Sequence, residues 1–374
     1  MTIKLYENDS YIKQFKATVT SCEKAENGYR VTLDKTAFFP TEGGQYHDNG
    51  TIAGIKVDDV ILENGDIIHI LPSEVFGQCD CEIDFDERFD KMQQHTGEHI
   101  LCGLAHSKYG YDNVGFHLSD EDVTFDLSGA LTSEQIYELE YLANKAVTEN
   151  RKITAYLLEK GQNVEYRSKL EETDGIRIVE IDGIDKCACC APHVMHTGEI
   201  GFIKITDWYS YKGGVRIHLA CGQRAVEFAQ KEHQNLLEIA KALSSKVTNA
   251  AEFFKKYVSD TSELKKSLSD TKKELVLLKA KATEHSENIV LFEDIEPSLL
   301  RPFVNALENK YENVCAVFSQ NASGGYNYVI ASKKQDMREF AKEFNSALSG
   351  KGGGSSQMIQ GSVNATKEQI ESFF

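Results

Sequence analysis

The stretch His95-Thr-Gly-Glu-His99, answered far downstream by Cys189-Cys-Ala-Pro-His193, decides how this 374-residue chain is read. Two histidines four apart share one helix face, because a helix turns once per 3.6 residues. The Cys-x3-His segment offers two more donors. One thiolate and three imidazoles make a borderline-soft set that suits Zn2+. His95, His99, Cys189 and His193 are therefore the candidate metal ligands. The same helix also satisfies the inverted zinc-peptidase pattern His-x-x-Glu-His, with Glu98 as general base. Gly97 within it and the soft Cys-x3-His partner count against a peptidase. A further set, Cys79 and Cys81 with Cys187 and Cys189, competes for the ion, but strand alternation places the first two in a core.

Working outward, Met92, His95, His99, Cys102 and His106 form one stripe of a helix that starts near Asp86 and stops at Gly110. Gly97 costs such a helix about 1 kcal/mol relative to alanine, so a close neighbour is expected there. Upstream, Phe15 to Cys22, Tyr29 to Asp34 and Cys79 to Phe85 alternate as half-buried strands do, and Asn64-Gly65 marks a hairpin. This predicts a small antiparallel β-barrel over residues 1–86. Within it, Gly43-Gly44 lets a backbone approach a ligand, with Thr41 and Gln45 beside it as polar groups.

Downstream, a helix capped by Thr132 or Ser133, and strands at 153–158, 176–181, 202–206 and 215–219, predict a two-layer α+β domain over 87–221. From Ala250 to Ala282, apolar or small residues step 4,3,4,3 through Phe254, Tyr257, Leu264, Leu268, Leu275 and Leu278. That seam predicts a helical coiled-coil arm over 222–288, serving as a spacer or as a homodimer contact. Residues 289–374 alternate strand and helix, with helices at 299–311 and 336–348. The run Ser349-Gly-Lys-Gly-Gly-Gly could wrap a phosphate backbone, with Lys351 at its centre. The overall expectation is an α+β chain in four parts.

The net charge of −17 confines any nucleic-acid contact to a local basic patch. Lys212, Arg216, Arg224 and Lys351 are the candidates. Nine cysteines without a secretory leader point to a reducing cytoplasm and to thiols used as ligands or core residues. No apolar run is long enough to span a membrane.

Thr36-Ala-Phe-Phe-Pro-Thr-Glu-Gly-Gly-Gln, His95-Thr-Gly-Glu-His-Ile-Leu, Leu131-Thr-x-Glu-Gln, Cys189-x3-His193-Val and Thr197-Gly-Glu-Ile-Gly-Phe resemble the editing domain of alanyl-tRNA synthetase. They also resemble its free-standing relatives, the AlaX trans-editing proteins, and the order and extent of the motifs are close to the long AlaX form. The glycine-rich tail resembles the DHHA1 domain. The resemblance implies a trans-editing hydrolase that cleaves the ester joining a wrong amino acid, serine or glycine, to tRNA(Ala). It implies zinc on the four ligands above, and Gly43, Gly44 and Gln45 against the amino-acid pocket. Thr41 and Gln45 are candidates to pair with the extra hydroxyl of serine, which an apolar pocket separates poorly. No class II aminoacylation domain fits ahead of Thr36, so charging of tRNA is not expected. One departure stands out. The family's cysteine is commonly followed by Gly-Gly-Thr, whereas Cys190-Ala-Pro intervenes here. Four protein ligands also close a tetrahedron, which leaves open a non-catalytic RNA-binding module with a structural zinc.

Overall fold

The computed structural model describes residues 2–26, 28–158, 164–167 and 176–374, in two compact units, Met1–Glu238 and Ile239–Phe374. It is a mixed α+β chain with seven α-helices among the described residues.

In the first unit, seven antiparallel strands run in the spatial order Ile55–Lys56, Gly50–Ile52, Gln78–Ile83, Gln14–Ala25, Gly28–Leu33, Asp66–Leu71 and Asp59–Glu63. The hairpin turns at Asn64 and Gly65, both with positive φ, as a type I′ turn requires. Cys79, Cys81 and Ile83 point inward and their acidic neighbours outward. The long Gln14–Ala25 strand pairs with Gln78–Ile83 along its first half and with Gly28–Leu33 along its second, so one strand serves both halves of the sheet.

Helix α1 (Phe85–Tyr109) follows at once. Asp84 caps it by accepting from the Glu87 amide, and Gly110 ends it in the left-handed conformation at φ 71°. It is buried on nearly every side. A four-stranded antiparallel sheet packs against it, ordered Asn113–Leu118, Val123–Leu127, Gly214–Cys221 and Ile203–Tyr211. Helix α2 (Ser133–Thr148), with a Thr132/Gln135 capping box, covers another side. A three-stranded sheet, Ile153–Leu157, Arg177–Ile181 and Asp185–Ala188, brings its last strand to α1. Two glycines permit these approaches. A Cβ at Gly97 would stand 2.3 Å from Cys221 Sγ, and one at Gly103 would stand 2.7 Å from Asp185 Cβ. Gly97 thus marks the crossing of helix and strand. Met92, Ile100, Leu101, Phe125, Leu139 and Ile217 are at the centre of the shared core.

Helix α3 (Gly222–Ala242) carries the chain into the second unit, which begins at Ile239, and α4 (Ala250–Ala282) follows. Its five-stranded sheet is ordered Ser286–Phe292, Tyr311–Gln320, Tyr326–Ser332, Met358–Val363 and Lys351–Gly354. Only the first pair is parallel, and α5 (Pro297–Ala306) supplies the crossover such a pair needs. The helix is shorter than the sequence pattern predicts, because Tyr311 opens the strand and pairs with Ser286. Alternation along Tyr311–Gln320 sends Cys315 and Val317 toward α4 and α5, and Val314, Ala316 and Phe318 toward α6 (Met337–Ala347) and α7 (Lys367–Glu371). The glycine run is an edge strand, fully exposed, and not a loop. In α4, Val276 and Ala280 are buried, whereas Phe254, Tyr257, Leu264, Leu268, Leu275 and Leu278 of the seam stay exposed, Leu264 at 70%.

Candidate metal centre and pocket

The histidines at i and i+4 on α1 point to one side, and the turn after Asp185–Ala188 carries Cys189 and His193 to them. One ligand atom from each of His95, His99, Cys189 and His193 lies within 4.8 Å of all the others. Cys189 Sγ stands 3.6 Å from His95 Nε2 and 3.3 Å from His193 Nε2. A tetrahedral zinc with ordinary Zn–S and Zn–N bonds holds sulfur and nitrogen about 3.6 Å apart. The donor set therefore fits that ion.

Every imidazole is anchored from behind. His95 Nδ1 donates to Gln45 Oε1 at 2.7 Å. His99 Nδ1 donates to Asp185 Oδ2 at 3.1 Å. His193 Nδ1 donates at 3.0 Å to Thr96 Oγ1, whose own proton goes to the Met92 carbonyl. Each Nδ1 thus donates outward and leaves Nε2 for the centre. Burial lowers the His99 imidazole, but its bonds to Asp185 and Cys189 win and hold it well above its usual value, so metal binding there would release a proton. Outer acceptors of this kind fix tautomer and ring orientation in metal sites. Asp185 is itself held by Arg167 at 2.7 Å through both oxygens. Burial raises its carboxyl, but the His99 and Arg167 bonds win and bring it to about 2. Burial also pushes the His193 imidazole down to about 3, leaving it neutral, as a ligand must be. For Cys189, burial opposes ionisation, yet the neighbouring His95 and His193 draw the thiol well below its usual value.

The competing residues fall elsewhere. Cys79 and Cys81 belong to the core of the seven-stranded sheet and join no ligand group among the described residues. Cys187 groups only with His99 and Asp185. Cys102 donates to Glu98 Oε1 at 2.9 Å, and that oxygen also accepts from the Asn113 side chain, so Glu98 is committed within the fold. Exposed His106 pairs with Asp112.

The glycine-rich segment docks beside the metal set. Gly43 and Gly44, at φ 61° and 88°, form a two-residue turn between Glu42 and Gln45, which exchange both backbone hydrogen bonds. The Gly44 carbonyl accepts from the Leu118 amide at 2.7 Å, and a Cβ at Gly44 would strike the Phe116 backbone at 2.5 Å. Phe116 lies against the His95 ring, 4.6 Å between centroids. Gln45 is fully buried and orients His95. Thr41 is exposed, and its hydroxyl accepts from the His47 amide. The residue whose side chain shares the Gln45 face is Glu42. The Gly43-Gly44 turn sets Glu42 directly opposite Gln45, and directly opposed residues point to the same side.

The candidate nucleic-acid contacts are scattered. Arg216 makes a two-pronged pair with Asp126, at 2.7 and 2.8 Å, and stacks on Tyr211. Arg224 is engaged by Asp90 and by the Ser119 carbonyl. Both guanidinium groups thus already have carboxylate partners. Lys212 sits at the tip of the Ile203–Tyr211/Gly214–Cys221 hairpin over the Tyr211 ring. Lys351 lies in the exposed edge strand of the second unit.

Residues 176–218 match the family described as threonyl and alanyl tRNA synthetase second additional domain, and residues 286–374 match the DHHA1 domain. The alanine–tRNA ligase of Ignicoccus hospitalis is 30% identical over 94% of this chain, which spans 40% of that protein. The alanyl-tRNA editing protein AlaX-L of Pyrococcus horikoshii is 26% identical over 99% of this chain and 96% of its own length. The alanyl-tRNA editing protein Aarsd1 of Danio rerio is 25% identical, over 98% of this chain and 95% of its own length.

Proposed function

This chain is a relative of the AlaX alanyl-tRNA editing proteins in their long form, and from that premise we infer that it hydrolyses the ester joining a wrong amino acid to tRNA(Ala). Serine is the first substrate we assign, glycine the second, and no charging of tRNA is assigned. The observation that carries the reading is the convergence of three outward-anchored imidazoles and one thiolate beside the Gly43-Gly44 turn.

His95, His99, Cys189 and His193 would hold Zn2+, which, when bound, supplies a Lewis acid toward an ester oxygen or water. The rest falls to the protein. Gln45, Asp185 and Thr96 keep the ligand rings oriented. Phe116 and the Gly43-Gly44 turn wall off one side. We assign Lys212 and Lys351 to tRNA contact. Arg216 and Arg224 contribute through surfaces already neutralised by Asp126 and Asp90. The exposed seam of α4 fits a second copy of this chain, giving a homodimer through the arm. The cytoplasm is the compartment that this substrate implies. Among the described residues no helix is long and apolar enough to cross a membrane.

The test is deacylation of Ser-, Gly- and Ala-tRNA(Ala), with and without a chelator. Chelator-sensitive release of serine, with Ala-tRNA(Ala) spared, is expected. The four-ligand count favours a second reading, an RNA-binding module with a structural zinc. Binding of tRNA(Ala) without release of any amino acid would establish it.

A further inference from the structure

Among the described residues, three buried polar atoms around this centre have no hydrogen-bond partner: Gln45 Nε2, Glu42 Oε2 and the Tyr6 hydroxyl. Gln45 and Tyr6 are 0% and 1% exposed. A buried polar atom without a partner is uncommon and costly, and three beside one centre indicate a ligand.

The geometry makes them neighbours. Glu42 and Gln45 exchange backbone hydrogen bonds at 3.1 and 3.0 Å across the two-glycine turn. They are directly opposed, so both side chains leave the hairpin on one face. Gln45 Oε1 on that face touches the His95 ring. The Glu42 carboxylate is therefore delivered to the same centre. The Cys190 thiol, next in chain to the Cys189 ligand, hydrogen-bonds the Glu42 carboxylate and leaves only its Oε2 without a partner, and the Cys190 sulfur would be 3.8 Å from a Cβ at Gly43. Tyr6 packs edge-on against Phe39 and joins Ala191, Cys189 and Cys190 in one small cluster, within electrostatic reach of Glu42. Glu42 belongs to no metal-ligand group among the described residues.

A carboxylate only accepts hydrogen bonds, and an amide NH2 only donates. The ligand must offer a cationic donor and an oxygen close together. An aminoacyl ester does so with its α-ammonium and its carbonyl or side-chain oxygen. A phosphate would be repelled by Glu42. We propose that Glu42 is the residue that binds the α-ammonium of the aminoacyl group, with Gln45 Nε2 and the Tyr6 hydroxyl on its oxygens. This rests on the editing reading above and adds the residue that recognises the free amine.

The experiment uses the full chain loaded with zinc and two non-hydrolysable probes. One is 3′-(L-seryl)amido-3′-deoxyadenosine, and the other is its counterpart with the α-amino group replaced by hydrogen. Calorimetry should show the amine probe binding roughly thirty-fold more tightly than the des-amino probe, the usual scale of a charge-assisted hydrogen bond. In Glu42→Gln that ratio should fall to near one, with zinc content retained. Equal affinities in the unsubstituted chain, or an unchanged ratio in Glu42→Gln, would overturn the proposal. So would loss of Ser-tRNA(Ala) turnover in Glu42→Gln with the ratio intact, which would make Glu42 a proton-transfer group. A Glu42-dependent ratio without any turnover would retire hydrolysis and keep this proposal. Turnover without the ratio would do the reverse.

Discussion

Gln45 Oε1 accepts a 2.7 Å hydrogen bond from His95 Nδ1, across fifty residues of chain and from a different element. The bond decides which nitrogen of His95 faces Cys189. Removing it leaves a ring that is free to turn or to carry its proton on Nε2. Gln45→Leu should weaken zinc binding about ten- to a hundredfold, the usual cost of losing an outer-sphere partner. Gln45→Glu retains the acceptor and should bind zinc nearly as well as the parent. A chelator-competition titration of the three proteins checks this. Equal affinity in Gln45→Leu would show that the bond positions nothing.

Cys189 is the only sulfur in the candidate ligand group. Cys189→Ala should lose bound zinc and deacylation of Ser-tRNA(Ala) together, and His95→Ala should do the same. Metal content by atomic emission, read beside the rate of serine release, tests the link. Full turnover by a zinc-free variant would remove the metal from the reaction.

Much of this site is legible in the chain because its ligands come as two i, i+4 pairs, and that spacing alone puts each pair within reach of one ion. The anchors behind them are not legible. Asp185 reaches His99 only because Gly103 lets Asp185–Ala188 approach α1, and that strand is too short to announce itself by alternation. Thr96 reads as one more helix residue until His193 arrives from 97 positions away. Arg216 and Arg224 read as free cations, since nothing local places Asp126 and Asp90 beside them. The α4 seam is plain as a period, but a period names no partner.

Gly97 offers a test of the packing around α1. Helix propensity alone says that Gly97→Ala should stabilise by about 1 kcal/mol. The added Cβ would lie 2.3 Å from Cys221 Sγ, on a strand that cannot retreat from the core. Overpacking of this kind costs about 1–3 kcal/mol, so net destabilisation should win. Cys221→Ala removes the sulfur and should restore the Gly97→Ala variant by more than it changes the parent. Denaturant unfolding of the four proteins gives the coupling, and simple additivity would refute the clash.

His69 supplies the pH dependence. Its ring is fully buried in the seven-stranded sheet, with Nδ1 donating to the Val31 carbonyl at 3.1 Å and Nε2 accepting from Thr36 Oγ1 at 2.9 Å. Burial holds the imidazole at about 4, against about 6.5 in an unfolded chain. The folded state therefore keeps it neutral while the unfolded state takes up a proton first. Its contribution is complete above about 6.5 and is lost as pH falls from there toward 4, amounting to about 3 kcal/mol over that interval. His69→Gln, which can reproduce one donor and one acceptor, lacks that titration. Its stability deficit relative to the parent should shrink as unfolding is measured from pH 7 down to pH 4.5. Parallel curves for the two proteins would mean that folding leaves the His69 imidazole at its unfolded value.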